Sequence, residues 1–556
     1  MDKTMSKKIL KYLVISAGIS AAVSCTGNYL EINSNPYGVT DDEMLRDGYA
    51  LKSAFVNMAG AVISPDKNTT QFTEILLGCD LVGYTAPAKN DWKNTIANYN
   101  PTDDWSRVLM QSDLVIPVLY TNLKRLKALT DDPVYLAVGD IIKVVAMHRV
   151  ADTYGPIPYS QIGANGELSV KYDSQQEAYA LMLKELSNAV DVLTINRTNN
   201  FTAAIDPIYG GNVEKWIRLA NSLKLRLAMR ISYADPELSK TMAEEAVSHE
   251  IGVMQSNDHN AMFSSWGTDG NTLRAAVMYN IVKHDNGENC ATNVGDSHAG
   301  AEIVCYMNGY DDPRREKYFT KSEWEGFPEY VGMRHGIVIP SPADIGHKYS
   351  GIFFAQDAAE PACWMNAAEV AFLQAEAAAV FGYNMGQDAK TLYEKGIRLS
   401  FAQYGLAGRV DEYISSGIVE ENSYTDPAGN NNYGYALTTL PVAWDENASL
   451  EQKQERIIIQ KYIANWLLGN ESWADWRRTG YPNLFPASDS GNWSKNEVSS
   501  KKGARRMPYP AAEVTNNTVH YQQALTKLKE ESADYHDDKM STRLWFDCKA
   551  NNPSYK

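Results

Sequence analysis

A run from Asp131 to Ser160, DDPVYLAVGDIIKVVAMHRVADTYGPIPYS, limits the folds open to this chain more than any other. Asp132 is placed to cap a helix that Pro133 opens, and Val134, Val138, Ile141, Ile142 and Val145 return at helical spacing. Val144 and Ala146 carry the apolar surface round the cylinder, so this helix is expected inside a layer of other helices. Asp152-Thr153-Tyr154-Gly155-Pro156 then stops it. Pro156 and Pro158 each push the preceding residue out of the helical region, so Gly155 to Tyr159 is expected to run extended.

With 556 residues, 44% of them apolar and 22% charged, the chain can bury a sizeable core. Its formal charge of −16 argues against nucleic acid or an anionic membrane surface as the main partner, because both select a basic face. The 33 tyrosines and 12 tryptophans leave room for exposed aromatic surface, although most aromatic residues in any protein are core. Six cysteines (Cys25, Cys79, Cys290, Cys305, Cys363 and Cys548) form no C-x-x-C pair and no metal-like spacing. Without Cys25 five remain, so one at least is unpaired within the chain and a disulfide framework is not expected.

The amino terminus reads as an export signal. Lys3, Lys7, Lys8 and Lys11 form a basic region, Tyr12 to Ala22 is mostly apolar, and Ala22-Val23-Ser24-Cys25 follows. That apolar run is too short to span a bilayer. A small residue just before a cysteine points to a lipoprotein, in which Cys25 is acylated and becomes the first residue; Ala22 stands where leucine is usual. Cleavage there takes the formal charge from −16 to −19. Several acyl chains, each adding about 0.8 kcal/mol per buried methylene, would hold the protein on a membrane rather than in it.

Further along, helices are expected from Asp41 to Ala59, from Trp105 to Leu129 with a kink at Pro117, over Gln175 to Leu193, Glu214 to Tyr233 and Pro236 to Glu250. Tyr84 to Asp103 reads as a loop, and from Ile251 to Pro361 the periodicity fades. Long irregular stretches on rigid scaffolds tend to carry sites. Helices return at Met365; Asp388 caps a partner helix, and Ser449 with Gln452 forms a capping box. A short helix, ESWADWRRTGYP, ends at Gly480 and Pro482.

Five of these stretches, in order, resemble elements of the SusD/RagB family of outer-membrane nutrient-binding lipoproteins. They are the segment after Cys25 (Leu30, Ile32, Asn33, Asn35, Pro36), the DTYGPIPYS turn at 152–160, Tyr310-Asp311-Asp312-Pro313-Arg314, the helix MNAAEVAFLQAEAAA with Glu369 and Glu376, and a carboxyl-terminal block. That block comprises ESWADWRRTGYP, RRMPYPAAEV and DDKMSTRLWFD. The resemblance implies a mainly α fold: one α-rich domain with tetratricopeptide-like helix pairs and a loop-rich lobe. The organisation expected is a signal peptide over 1–24, a lipidated tether over 25–42 and a SusD-like domain over 43–556.

Catalytic chemistry finds little support. Gly295-Asp296-Ser297-His298-Ala299-Gly300 is near a nucleophile elbow but lacks its second glycine at the right place. No H-E-x-x-H and no Gly-rich phosphate loop occur, Asp285-Asn286-Gly287-Glu288 lacks a full calcium-loop pattern, and no metal or cofactor is expected. Glu323 and Glu325 flank Trp324 as a glycosidase pair could, but an enzyme is not the expectation.

Binding fits better. A sugar presents polarised C–H groups to an aromatic face, while its hydroxyls need amide and carboxylate partners at the edge. Trp92 with Asn90, Asp91 and Asn94 supplies both, as do Trp324 with Tyr330, and Trp266 with Asp269 and Asn271; for each tryptophan the alternative is a packed core residue. The resemblance implies a surface lipoprotein on the outer face of the outer membrane, one that binds oligosaccharides and delivers them to a SusC-like TonB-dependent transporter. A peptide-binding RagB-type lipoprotein and a helical-repeat protein-interaction scaffold remain the alternatives.

Overall fold

Within the run that ends at Tyr159, the helix spans Pro133–Tyr154, and the Asp132 carboxylate accepts the Val134 N–H at 2.9 Å as its amino-terminal cap. The computed structural model describes residues 48–555 apart from 65, 88–92, 112–114, 164–168, 264–296, 338, 341–344, 356–359, 421 and 430. The main helices are α1 (Tyr49–Val62), α2 (Ile116–Leu129), α3 (Pro133–Tyr154), α4 (Gln175–Ile195), α5 (Val213–Arg230) and α6 (Pro236–Ser248). They continue with α7 (Ala301–Gly309), α8 (Ala367–Phe381), α9 (Ala389–Gln403), α10 (Leu450–Ala464), α11 (Gly469–Thr479) and α12 (Thr518–Glu531). The fold is mainly α.

Helix α3 is buried along nearly its whole length, as its all-round apolar surface requires. It packs on α2, α4 and α5; α5 in turn packs on α6 and α8, and α8 on α9 and α10. Pairing of α3 with α4 is antiparallel, since Gln175 reaches the Ala151 carbonyl at 2.7 Å and Lys143 reaches Glu185 at 2.7 Å. Gly396 lets α9 approach α8, because a Cβ there would stand 2.7 Å from the Phe372 ring. Caps fall where the sequence puts them: Asp388 accepts the Thr391 N–H at 2.9 Å, and Ser449 with Gln452 closes a capping box.

Two readings change. Trp105 to Leu129 is not one kinked helix: short turns over Asp103–Ser106 and Val108–Gln111 precede α2, and Pro117 sits in the first turn of α2, where its missing N–H costs nothing. The irregular region contains order: α7 and two short antiparallel ribbons. One pairs β1 (Thr85–Ala86) with β3 (His298–Ala299); the other pairs β2 (Ala261–Phe263) with β4 (Ala362–Met365).

The core between α3, α5, α8, α10 and α11 is ionic. Arg226 grips Glu369 through two bonds of 2.7 Å, and Arg478 grips Glu376 at 2.8 and 2.7 Å. Arg230 reaches Glu471 at 2.5 Å, and Lys461 reaches Asp475 at 2.6 Å. Burial alone would raise the Glu471 carboxyl, but Arg230, Arg226 and Lys461 hold it well below the usual range. Glu369 and Glu376, the glutamates of the α8 motif, are therefore structural counter-ions.

The DTYGPIPYS turn is the second tie. Ile157 pairs with Asp173 in extended conformation, as the prolines demand. Arg477 donates to the Asp152 carbonyl at 2.6 Å, Arg506 to the Tyr154 carbonyl at 3.0 Å, and the Tyr509 hydroxyl to the Pro156 carbonyl at 2.7 Å. This turn is a corner clamped by the carboxyl-terminal block.

Candidate ligand-binding face

Residues 319–333 leave the helices and fold back beside 348–352. Thr320 donates to the Gly351 carbonyl at 3.0 Å, Glu323 to that of Lys348 at 2.8 Å, and Ser322 closes the loop on Glu329 at 2.8 Å. Trp324 stands half-buried on this frame, edge-on to Tyr349 with ring centres 5.5 Å apart and the Lys348 ammonium 5.1 Å from its own centre. Its indole N–H is buried with no acceptor. Phe327 and Ile337 join it over a small apolar cluster of Ala86, Val331, Met333, Ile339 and Tyr349. Glu323 and Glu325 beside it are both exposed, and Glu323 lies 3.4 Å from His347.

Tyr330 is only 6% exposed, yet it lines an open cleft of about 450 Å³ together with Asn308, Arg315, Phe327 and Glu420. The Arg315 guanidinium lies 5.8 Å from its ring centre and donates to Asn308 at 3.2 Å. One loop thus offers two aromatic rings to a cleft edged by an amide, a guanidinium and a carboxylate, which together can stack on an apolar face and pair with hydroxyls.

Asn90, Asp91 and Trp92 lie outside the described residues, as do Trp266, Asp269, Asn271 and Cys25. The residues flanking the first group are informative. Ala86, at the end of β1, packs in the same cluster as Trp324. Lys93 places its ammonium 4.5 Å from the centre of the Trp493 ring. Asn98 ties the two strands of chain together, donating to the Gly491 carbonyl at 2.6 Å and accepting the Trp493 N–H at 2.9 Å. Trp493 is 41% exposed. Sequence reasoning passed it over, although its setting in Ser490-Gly491-Asn492-Trp493-Ser494 is as turn-rich as that of Trp92.

A second cleft of about 380 Å³, unread in the sequence, opens beside β4, lined by Phe353, Tyr404, Trp466, Asn366, Gln403 and Lys317. Its rings come from three distant segments, so no local pattern could announce it.

His148, Asp152 and Glu471 bring ligand-type atoms within 4.8 Å of one another. They do not suit a metal: Arg226 and Arg230 face the same point, and burial, aided by those arginines, pushes His148 down to about 3. Among the described residues Cys79, Cys305, Cys363 and Cys548 are free thiols. No described helix is long and apolar enough to cross a membrane.

The model of the SusD-like family, described as SusD and RagB outer membrane lipoprotein, matches residues 31–547. A SusD homolog from Bacteroides uniformis ATCC 8492 is 48% identical, with a TM-score of 0.84 over 90% of this chain and 100% of its own. Another, from Bacteroides thetaiotaomicron VPI-5482, is 37% identical with a TM-score of 0.80 over 90% and 99%. A chitin-binding SusD homolog from Flavobacterium johnsoniae is 33% identical with a TM-score of 0.78 over 90% and 99%. The search of curated proteins gave no match. The ordered motifs, the paired helices and these likenesses agree: the chain belongs to the SusD-like family of outer-membrane lipoproteins.

Proposed function

We propose that this protein captures oligosaccharides at the cell exterior and passes them, unaltered, to a SusC-like TonB-dependent transporter. It is held at the outer membrane by acyl chains on Cys25, with residues 1–24 removed and 25–42 serving as tether. The observation that carries the reading is the loop from Trp324 to Tyr330, whose Phe327 and Tyr330 rings line an open cleft edged by Asn308, Arg315 and Glu420, while Trp324 sits with Phe327 on the adjoining apolar cluster. Trp493 and Lys93 extend the same polar and aromatic character to the residues flanking Trp92. Asn90, Asp91, Trp92 and Trp266 complete the proposed ligand set. The chitin-binding relative supports a glycan as the ligand class.

Ligand transfer needs a difference in affinity between open and closed arrangements of the protein on its transporter. A glycan array probed with the protein from Cys25 onward, alongside a peptide library, tests the reading. Oligosaccharide binding that weakens in Trp324→Ala supports it; binding confined to peptides contradicts it. Acylation is tested separately, by mass spectrometry of the protein released from outer membranes.

A further inference from the structure

The amino end of α7 lies where three stretches of backbone close on one another. A Cβ at Gly83 would stand 2.3 Å from Glu302 Oε2, and one at Gly332 would stand 2.4 Å from the Gly300 carbonyl oxygen. Backbone bonds stitch the corner: Gly300 donates to the Tyr84 carbonyl at 2.9 Å, Ala301 to that of Met333 at 2.8 Å, and Met333 to that of Ala299 at 2.8 Å. Glu302, 1% exposed, is wedged into this corner, and its Oε2 meets no donor among the described residues. The donors nearby are committed elsewhere. Arg334 gives all three of its nitrogens to the Asn431 and Pro486 carbonyls, and both nitrogens of His335 face the Asp80 and Ala97 carbonyls at 2.7 Å. A carboxylic acid suits a dry corner with no free donor; a carboxylate does not, and forms there only if water reaches it.

The same corner carries the candidate ligand cleft. Val304, Cys305 and Asn308 of α7 line that cleft together with Val331 and Gly332, and Asn308 donates to the Tyr330 carbonyl at 2.9 Å. We infer that Glu302 is a proton-controlled latch on the ligand loop. Protonated, it keeps α7, Gly83 and residues 331–333 packed; ionised, it draws water into the corner and loosens the loop that carries Tyr330. The latch stands on this packing alone, whereas its effect on a ligand rests on the function proposed above.

Burial pushes the Glu302 carboxyl up to about 7, with its own backbone N–H and the Arg334 charge opposing. The packed corner therefore keeps a proton that the opened one releases near 4.5, so its order is full below 4.5 and falls as pH rises through 7. The other charged and titratable groups at the corner are Asp80, whose carbonyl accepts the Gly83 N–H at 3.2 Å, Tyr99, His298 on β3, Cys305 and Tyr306 on α7, Arg334, His335, Tyr462 on α10, and Lys501. Burial raises Tyr99, Cys305, Tyr306 and Tyr462, and it pushes His298 down to about 3. His335 is the rival, since losing a proton there would also cost a bond to a carbonyl, but burial lowers it.

The test is hydrogen exchange of the protein at pH 6 and pH 8, read by mass spectrometry and corrected for the intrinsic rate at each pH. Protection over 79–86, 298–304 and 330–334 should fall about tenfold from pH 6 to pH 8, the ratio for a group titrating near 7 when packed and near 4.5 when opened. It should lie below the protection of α8 at both pH values, the mark of local opening rather than unfolding. Glu302→Gln, an uncharged isostere, should hold the pH 6 level at pH 8. Oligosaccharide affinity should weaken in parallel in the wild type and not in Glu302→Gln; if no oligosaccharide binds, exchange still decides the latch. Protection in the wild type that does not change between pH 6 and pH 8 overturns the proposal. So does a fall that survives Glu302→Gln, which assigns it to His335, or one in which the three segments never drop below α8.

Discussion

The Lys93 ammonium lies 4.5 Å from the centre of the Trp493 ring, joining two polar loops far apart in the chain. Trp493 keeps 41% of its surface exposed, so it adds little to the core. Trp493→Ala is expected to shift stability by no more than about 0.5 kcal/mol. If the ring stacks on ligand, the loss of about 0.5–1.5 kcal/mol weakens oligosaccharide binding roughly two- to tenfold. Trp324→Ala should do both, weakening binding and lowering the melting temperature, because Trp324 also packs on Tyr349. Calorimetry paired with thermal unfolding separates the two effects.

Arg478 and Glu376 are both fully buried and doubly hydrogen-bonded. Arg478→Met leaves Glu376 uncompensated and weakens the ties of Asp475, an expected loss of about 3–5 kcal/mol. Replacing both, Arg478→Met with Glu376→Leu, should cost clearly less than the sum of the single changes. Denaturant midpoints of the four proteins measure that coupling.

Two buried groups give opposite pH dependences. Glu302 is raised to about 7 by burial, so the folded state keeps a proton that the unfolded chain gives up near 4.5. Stability on this account is full below 4.5 and falls as pH rises through 7, by up to about 3 kcal/mol. Glu302→Gln should therefore stabilise the protein at pH 8 and not at pH 4.5. His148, lowered to about 3 by burial, stays neutral in the fold while the unfolded chain takes up a proton near 6.5. Its contribution is full above 6.5 and is lost as pH falls towards 3. Unfolding curves at pH 4.5, 6 and 8 read both signs.

Gly155 holds φ at +89° where α3 ends, and a Cβ there would stand 2.8 Å from Leu544 Cδ2. Gly155→Ala is expected to destabilise by more than about 1 kcal/mol, since both the backbone and the contact oppose it. Asp132→Ala, at the other end of the same helix, should cost about 1 kcal/mol through the lost cap. Chemical denaturation of the two variants reads the difference.

Helix α3 and its caps were legible because the signals are local: a capping aspartate, apolar residues at helical spacing and a Gly-Pro stop. Pro117 was misplaced because a proline within a long apolar pattern marks a kink and a first turn equally well. The ionic core could not be read, since Arg226, Arg230, Arg477 and Arg478 look in sequence like the solvated face of a helix. The carboxylate partners of Arg226, Arg230 and Arg478 come from α3, α8 and α11, Lys461 joins them from α10, and only the assembled layers bring those charges together. Tyr330 was legible as an aromatic in a loop, but its cleft depends on Glu420 and Asn308 from other segments. The Trp466 cleft was hidden for the same reason.

The most direct test of the account is titration of the protein with oligosaccharides, followed by chromatography of the recovered ligand. Saturable binding that weakens in Trp324→Ala and Trp493→Ala, with the oligosaccharide returned intact, is the predicted result. Shortened products, or binding indifferent to both tryptophans, would contradict it.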